Sequence, residues 1–199
     1  MSETVLVPGP REVRGTLDTP DARACVVACP PHPQMGGDRT DSRLRAVADA
    51  LGEAGMACLR IDYGAWDEGR GETDDAERAL AWAREEYESV GLFGYSFGGA
   101  VALLAAAGTD VDLRAVSVLA PAGTPADGDL DAAAAVDDVA CPLQVVYGER
   151  DTTASWERVV ERARERDCEV VALPADHFFV GTTDRAASAV AGFLAGRSD

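Results

Sequence analysis

ESVGLFGYSFGGAVALLAAAG, Glu88 to Gly108, reads as a buried strand, a tight turn and a buried helix in immediate succession. Val90 to Phe93 is a short apolar run that ends on a glycine, as a strand covered on both faces does. From Gly98 to Gly108 the chain is apolar all round, the mark of a helix with no face toward water. Between them, GYSFG (Gly94 to Gly98) matches G-x-S-x-G in strand-turn-helix context, the pattern of a nucleophile elbow. The spacing has a steric cause: a serine in so sharp a turn needs neighbours two before and two after it without side chains, and Gly94 and Gly98 provide that room. The helix that follows presents its N-terminus to Ser96, so the backbone N–H of Phe97 is the first candidate donor to a developing oxyanion.

An activated serine needs a base and an orienting acid, and the sequence downstream leaves little choice. His177, in ADHFF just after the apolar run EVVALP, is the sole histidine after the serine. YGERD, at the end of the preceding apolar run, offers Glu149 and Asp151, of which Asp151 is chosen as the acid. The order Ser96, Asp151, His177 places all three where strands end at the carboxyl edge of a sheet. Two rival readings stand beside this one: Asp151 as the N-cap of a helix starting near Thr153, and His177 as a turn histidine. The second oxyanion donor is sought in CPPHPQMGGDRTD, after the run Ala24 to Cys29. Pro30, Pro31 and Pro33 have no N–H, leaving His32, Gln34 and Met35, with the His32 amide first and Gln34 second. His32 could instead act through its imidazole, but His177 has the better context for the base.

Working outward, continuous apolar runs recur at Ala24–Cys29, Met56–Ile61, Ala115–Ala120, Leu143–Tyr147 and Val170–Leu173. Helical stripes lie between them: Leu44, Val47, Ala48, Leu51; then Ala76, Ala79, Leu80, Ala83, Tyr87; then Trp156, Val159, Val160, Ala163; then Ala186, Val190, Phe193, Leu194. This alternation predicts an α/β fold, a mostly parallel central sheet flanked by helices with right-handed crossovers, in one domain over residues 1–199. Thr73 and Thr183, each followed by aspartate, are expected to cap the second and last of these helices. Thr4–Val7 and Val13–Leu17, separated by Pro8, Gly9 and Pro10, predict a leading hairpin. The one long interval of uncertain structure, Ala122 to Val139, is too short for a substantial lid. An open pocket preferring short acyl groups is therefore expected, with Trp66, Tyr95 and Phe178 as candidate wall residues near strand ends.

Composition narrows the function classes. Of 199 residues 35 are Asp or Glu and 18 are basic, all of them arginine, for a net charge of −17. A surface so acidic repels phosphate backbones and anionic lipid, so nucleic acid and membrane are not expected partners, and a small-molecule acyl substrate is. The same excess of hydrated carboxylates, with no lysine, suggests salt adaptation. Missing lysine excludes a Walker lysine, a pyridoxal Schiff base and a Ser-x-x-Lys pair. The five cysteines are scattered among apolar runs, as buried hydrophobes in a reducing compartment are. With two histidines and no C-x-x-C, no metal is expected and no cofactor is called for. The N-terminal MSETVLVPGPREV lacks a basic segment followed by an apolar core, so the expected location is cytoplasmic.

The chain resembles small serine hydrolases of the α/β-hydrolase superfamily, near the dienelactone-hydrolase-like group. The resemblance rests on PPHPQMGG (Pro30 to Gly37), LRIDYGAWDEGRGE (Leu59 to Glu72), GYSFGG, GERD and ADHFF, and spans nearly the whole chain. It departs at Pro30, where a histidine is common, and at Gly64 to Arg70, where R-G-x-G-x-S is usual. It implies the α/β-hydrolase fold with little or no lid, and hydrolysis of esters or related acyl bonds through Ser96, His177 and Asp151. Dienelactone hydrolases proper use cysteine as nucleophile, so lactone specificity does not carry over to Ser96. An acyltransferase, a cofactor-free haloperoxidase-like enzyme and a non-catalytic binding module on the same fold are the alternatives.

Overall fold

The computed structural model describes residues 2–124 and 130–196. They form an eight-stranded sheet in the order β1-β2-β4-β3-β5-β6-β7-β8. β1 (Ser2–Val7) and β2 (Val13–Asp18) make the expected antiparallel hairpin, and β2 pairs antiparallel with β4 (Ala57–Asp62). From there β4, β3 (Ala24–Cys29), β5 (Ser89–Tyr95), β6 (Leu113–Leu119), β7 (Leu143–Gly148) and β8 (Glu169–Leu173) are all parallel. The six apolar runs are these six parallel strands, because a strand covered on both faces has no reason to alternate polar and apolar residues.

Helices cover both faces. α1 (Ser42–Glu53) and α6 (Thr183–Gly196) pack on one, burying Leu44, Leu51, Val190 and Leu194 against Val26 and Phe93. α2 (Arg70–Glu86), α3 (Phe97–Gly108), the one-turn α4 (Ala132–Ala135) and α5 (Glu157–Glu165) take the other, over Val27, Leu59, Leu92 and Val145. α3 sits against the centre of the sheet and buries nine of its twelve residues, so its unbroken apolar sequence is a consequence of its place. Between β6 and β7 the described residues hold only α4 and a 3₁₀ turn, Val136–Asp138; part of the interval read as uncertain lies outside them. Among the described residues no helix is long and apolar enough to cross a membrane.

Two expected helix starts are corrected. α2 begins at Arg70, three residues before Thr73, because Glu72 reaches back to accept from the N–H groups of Gly69 (2.8 Å) and Asp67 (2.9 Å), with Gly69 itself left-handed at φ 91°. Thr73 lies inside the first turn and donates to the Gly69 carbonyl (2.8 Å). Thr183 is the first residue of α6, not the residue before it, and likewise donates backwards, to Phe179 O (2.9 Å).

The centre of the sheet is set by how closely α3 approaches it. A Cβ at Gly94 would overlap the carbonyl of Gly98, and one at Gly98 would overlap the carbonyls of Cys29 and Pro30. Both obstacles are backbone, which cannot rotate aside. Gly98→Ala is therefore expected to destabilise the fold by about 3 kcal/mol or more, as overpacking against a rigid neighbour does. Urea titration of the variant against the parent chain measures it, and a midpoint within error of the parent would contradict this close approach.

Candidate active site

The turn between β5 and α3 holds Ser96 at φ 58°, ψ −118°, a conformation that costs a non-glycine residue roughly 1–3 kcal/mol. Four backbone hydrogen bonds hold it there: Ser96 N–H donates to Leu119 O (2.9 Å), and Ser96 O accepts from Gly99 N–H (2.9 Å), Ala100 N–H (3.3 Å) and Ala122 N–H (3.1 Å). The strain is thus distributed into β6, α3 and the segment after β6.

Asp151 arrives from the loop after β7 and His177 from the loop after β8. His177 Nε2 lies 3.0 Å from Ser96 Oγ, and its Nδ1 lies 2.7 Å from Asp151 Oδ2. The Asp151 side chain has no exposure and that of His177 is 7% exposed. Asp151 divides its carboxylate: Oδ1 accepts from Thr153 N–H (2.8 Å) and Ala154 N–H (3.1 Å), while Oδ2 faces the imidazole. The capping role weighed for Asp151 is therefore present as a turn ahead of α5, which starts only at Glu157, and it coexists with the contact to His177. Glu149, two residues earlier, is exposed.

The loop after β3 forms a 3₁₀ turn, Pro33–Met35. Met35 N–H donates to His32 O (3.0 Å), which leaves the His32 and Gln34 amides as the loop donors not committed to that turn. The His32 imidazole packs on Trp66 (centroids 4.6 Å apart) and on Phe97 (4.8 Å). Burial lowers its pKa, opposed by the nearby Glu72.

A cleft of about 290 Å³ opens on these groups, lined by His32, Met35, Arg43, Tyr95, Ser96, His177 and Phe178 among others. Of the three wall residues expected, Tyr95 and Phe178 line it, with Tyr95 forming its floor at 1% exposure and Phe178 half exposed at its mouth. Trp66 does not line the cleft; it lies behind, against the rings of His32 and Phe97. Gln34 is exposed and does not line it either.

The sequence reading missed what holds the Trp66 loop. Asp75 accepts from Gly64 N–H (2.8 Å) and from Arg11 Nε (2.8 Å), and pairs with Arg78. Glu72 ties Asp67 and Gly69, and Arg11 Nη2 reaches Ala65 O (2.6 Å). Both carboxylates are fully buried, an unusual placement that is tolerable because each is fully engaged. In sequence Asp75 reads only as negative charge following Thr73 at a helix start. Arg43 was missed as well: its guanidinium lies 4.7 Å from the Tyr95 ring centroid and bonds Asp41 (2.5 Å).

Cys25, Cys29 and Cys58 are buried, and burial pushes the thiols of Cys25 and Cys29 up to about 12. Among the described residues no cluster of three or more His, Cys, Asp or Glu could hold a metal ion.

Comparison with known proteins agrees with this architecture. The model of the dienelactone hydrolase family matches residues 63–192. No curated protein matches in sequence. Among solved structures, an α/β serine hydrolase homologue from Coxiella burnetii superposes with a TM-score of 0.82 at 24% identity, over 96% of this chain and 97% of that one. An α/β serine hydrolase without lid from Xanthomonas campestris gives 0.80 at 23% identity, over 98% and 94%. A dienelactone hydrolase from Anabaena variabilis gives 0.77 at 25% identity, over 98% and 95%.

Glu72→Ala leaves two N–H groups of the Trp66 loop without partners, at a cost of about 3 kcal/mol in all. For a chain of this size that is roughly a 6–12 °C fall in melting temperature. Scanning calorimetry reads it, and a fall of no more than a degree would mean that Glu72 does not hold the loop.

Proposed function

The chain belongs to the dienelactone hydrolase family and is a hydrolase of the α/β fold, and from that premise we propose that it cleaves small esters, thioesters or related acyl bonds through an acyl intermediate on Ser96. The observation that carries the reading is the continuous hydrogen-bonded line Asp151 Oδ2, His177 Nδ1, His177 Nε2, Ser96 Oγ, at 2.7 and 3.0 Å. With the Nδ1 proton donated to Asp151, the Nε2 lone pair is turned to the serine hydroxyl, which is the tautomer a general base needs.

The steps follow from that geometry. Nε2 takes the hydroxyl proton as Ser96 Oγ bonds to the acyl carbon, and the carbonyl π electrons move to oxygen. Phe97 N–H, at the start of α3, and the His32 or Gln34 amide receive the oxyanion, which the dipole of α3 also favours. The imidazolium, held against Asp151, protonates the leaving oxygen or sulfur as its bond to carbon breaks. Water then attacks the acyl-serine, giving its proton to Nε2, and collapse returns that proton to Ser96 Oγ with release of the acid.

Replacing any one member should disable the unit. Ser96→Ala and His177→Ala are each expected to lower kcat on p-nitrophenyl acetate by a factor on the order of 10⁴ or more, and the double variant by little more than either alone. Asp151→Asn should fall by on the order of 10³–10⁴ while Glu149→Gln stays within about twofold. Full turnover in Ser96→Ala, or strictly multiplicative losses, would sink the assignment.

The size of the cleft speaks to the acyl group. About 290 Å³ is at the small end of ligand sites, which run from about 300 Å³ upward. Across p-nitrophenyl esters, kcat/KM should be highest for chains of about two to four carbons and drop at least tenfold by about ten carbons. A preference for long chains, or activation by micelles, would refute the open small-acyl site.

A further inference from the structure

Tyr95, the residue between Gly94 and Ser96, makes two contacts that wall residues of a cleft have no need of. Its hydroxyl donates to the backbone carbonyl of His177 at 3.0 Å, and its ring stacks on the His177 imidazole with centroids 5.5 Å apart and planes 30° from parallel. The ring is also packed by the Arg43 guanidinium, which Asp41 holds in turn, and the side chain is 1% exposed. A phenol so confined has one position.

The loop that carries His177 depends on this. Its other ties lie to either side: Ala175 O accepts from Arg150 N–H (3.0 Å), Pro174 O from Arg150 Nη2 (2.8 Å), and Asp176 Oδ1 from Phe178 N–H (3.0 Å). Among the described residues, Tyr95 is the hydrogen-bond partner of the His177 main chain itself. Asp151 holds the imidazole from the far side of the ring at Nδ1 (2.7 Å) and Phe178 meets it edge-on with centroids 5.4 Å apart, so both act on the ring, whereas the Tyr95 hydroxyl ties the backbone that carries it. Because Tyr95 and Ser96 are consecutive, any displacement of the turn moves both.

We propose that Tyr95 is a positioning residue for the base, holding His177 Nε2 at bonding distance from the serine through its hydroxyl and its ring. This rests on the reading of Ser96 and His177 given above. Tyr95→Phe isolates the hydroxyl without opening a cavity. Since displacement of a catalytic group by about 1 Å costs on the order of a hundredfold, the smaller drift allowed here should lower kcat on p-nitrophenyl acetate about tenfold, with KM unchanged within about twofold. The rate at which a small fluorophosphonate labels Ser96 should fall by the same factor.

The decisive arm places Tyr95→Phe in a His177→Ala background. A residue that acts through the base has nothing left to position, so the residual rate should not change. A further tenfold loss there, or a loss expressed in KM, would overturn the proposal in favour of a general structural role, as would wild-type kcat and labelling in the single variant. Failure of the underlying reading looks different: His177→Ala alone would then keep its activity.

Discussion

Everything in this molecule that bears on chemistry depends on the distance between α3 and the sheet. The axis of α3 is brought so near β3 and β5 that Gly94 and Gly98 meet backbone to backbone, and no chain with a Cβ at either place could close the gap. Closing it forces the residue between them through a turn with φ 58°. The cost of that turn, of the order of 1–3 kcal/mol, is offset by α3 itself, whose apolar side chains are buried over most of their length. Strain at one residue and burial along a helix are therefore the same structural event seen at two scales. The event also fixes direction, because a helix starting at Phe97 directs its free N–H groups to the place where the Ser96 hydroxyl stands.

The second support is ionic and lies outside the reacting groups. Glu72 and Asp75, one turn apart at the start of α2, gather Arg11, Arg78 and the amides of Gly64, Asp67 and Gly69. In this way the hairpin, the loop after β4 and the helix after it are joined at one point. From the loop a run of rings, Trp66 on His32 on Phe97, leads to the amides beside the serine. Isolated surface ion pairs, such as Arg23 with Glu88 here, do little for stability. These two carboxylates differ because burial makes each unmet bond expensive, which converts a weak attraction into a geometric requirement.

How much of this the sequence disclosed follows the range of the interactions involved. The parallel strands were legible because two-sided burial writes an uninterrupted apolar run, and the hairpin because prolines and a glycine separate two short runs. Ser96, Asp151 and His177 could be picked out because a motif with a steric cause fixed the first, and strand order with a scarcity of histidines left few candidates for the others. What escaped depends on contacts between distant segments. The true start of α2 is set by a glutamate reaching backwards and a left-handed glycine, where a Thr-Asp-Asp sequence advertised a different cap. Trp66 was placed on a wall because an aromatic near a strand end fits there, yet the rings it stacks on come from the loop after β3 and from α3. Arg43 carries no local signal at all; its meaning comes from Tyr95, fifty-two positions away in the chain.

Each of the three groups proposed to react is held by bonds that are independent of any substrate. Ser96 has its N–H and its carbonyl committed to β6 and to the segments on either side, so its hydroxyl is left as the free end of a fixed residue. Asp151 is short enough that one oxygen can close a turn on Thr153 and Ala154 while the other meets His177; a glutamate at this place would have to give up one of the two. The imidazole lies between that carboxylate and the serine, in surroundings dry enough to strengthen both contacts. On the proposed function, reorganisation that would otherwise fall on the reaction has been met in folding, where the burial of a whole α/β core is available to offset it. On the function proposed above, a site preorganised in this way does not need a closing segment to assemble it, which is the physical reason a chain with so short a connection between β6 and β7 can still hold Ser96, His177 and Asp151 in one line.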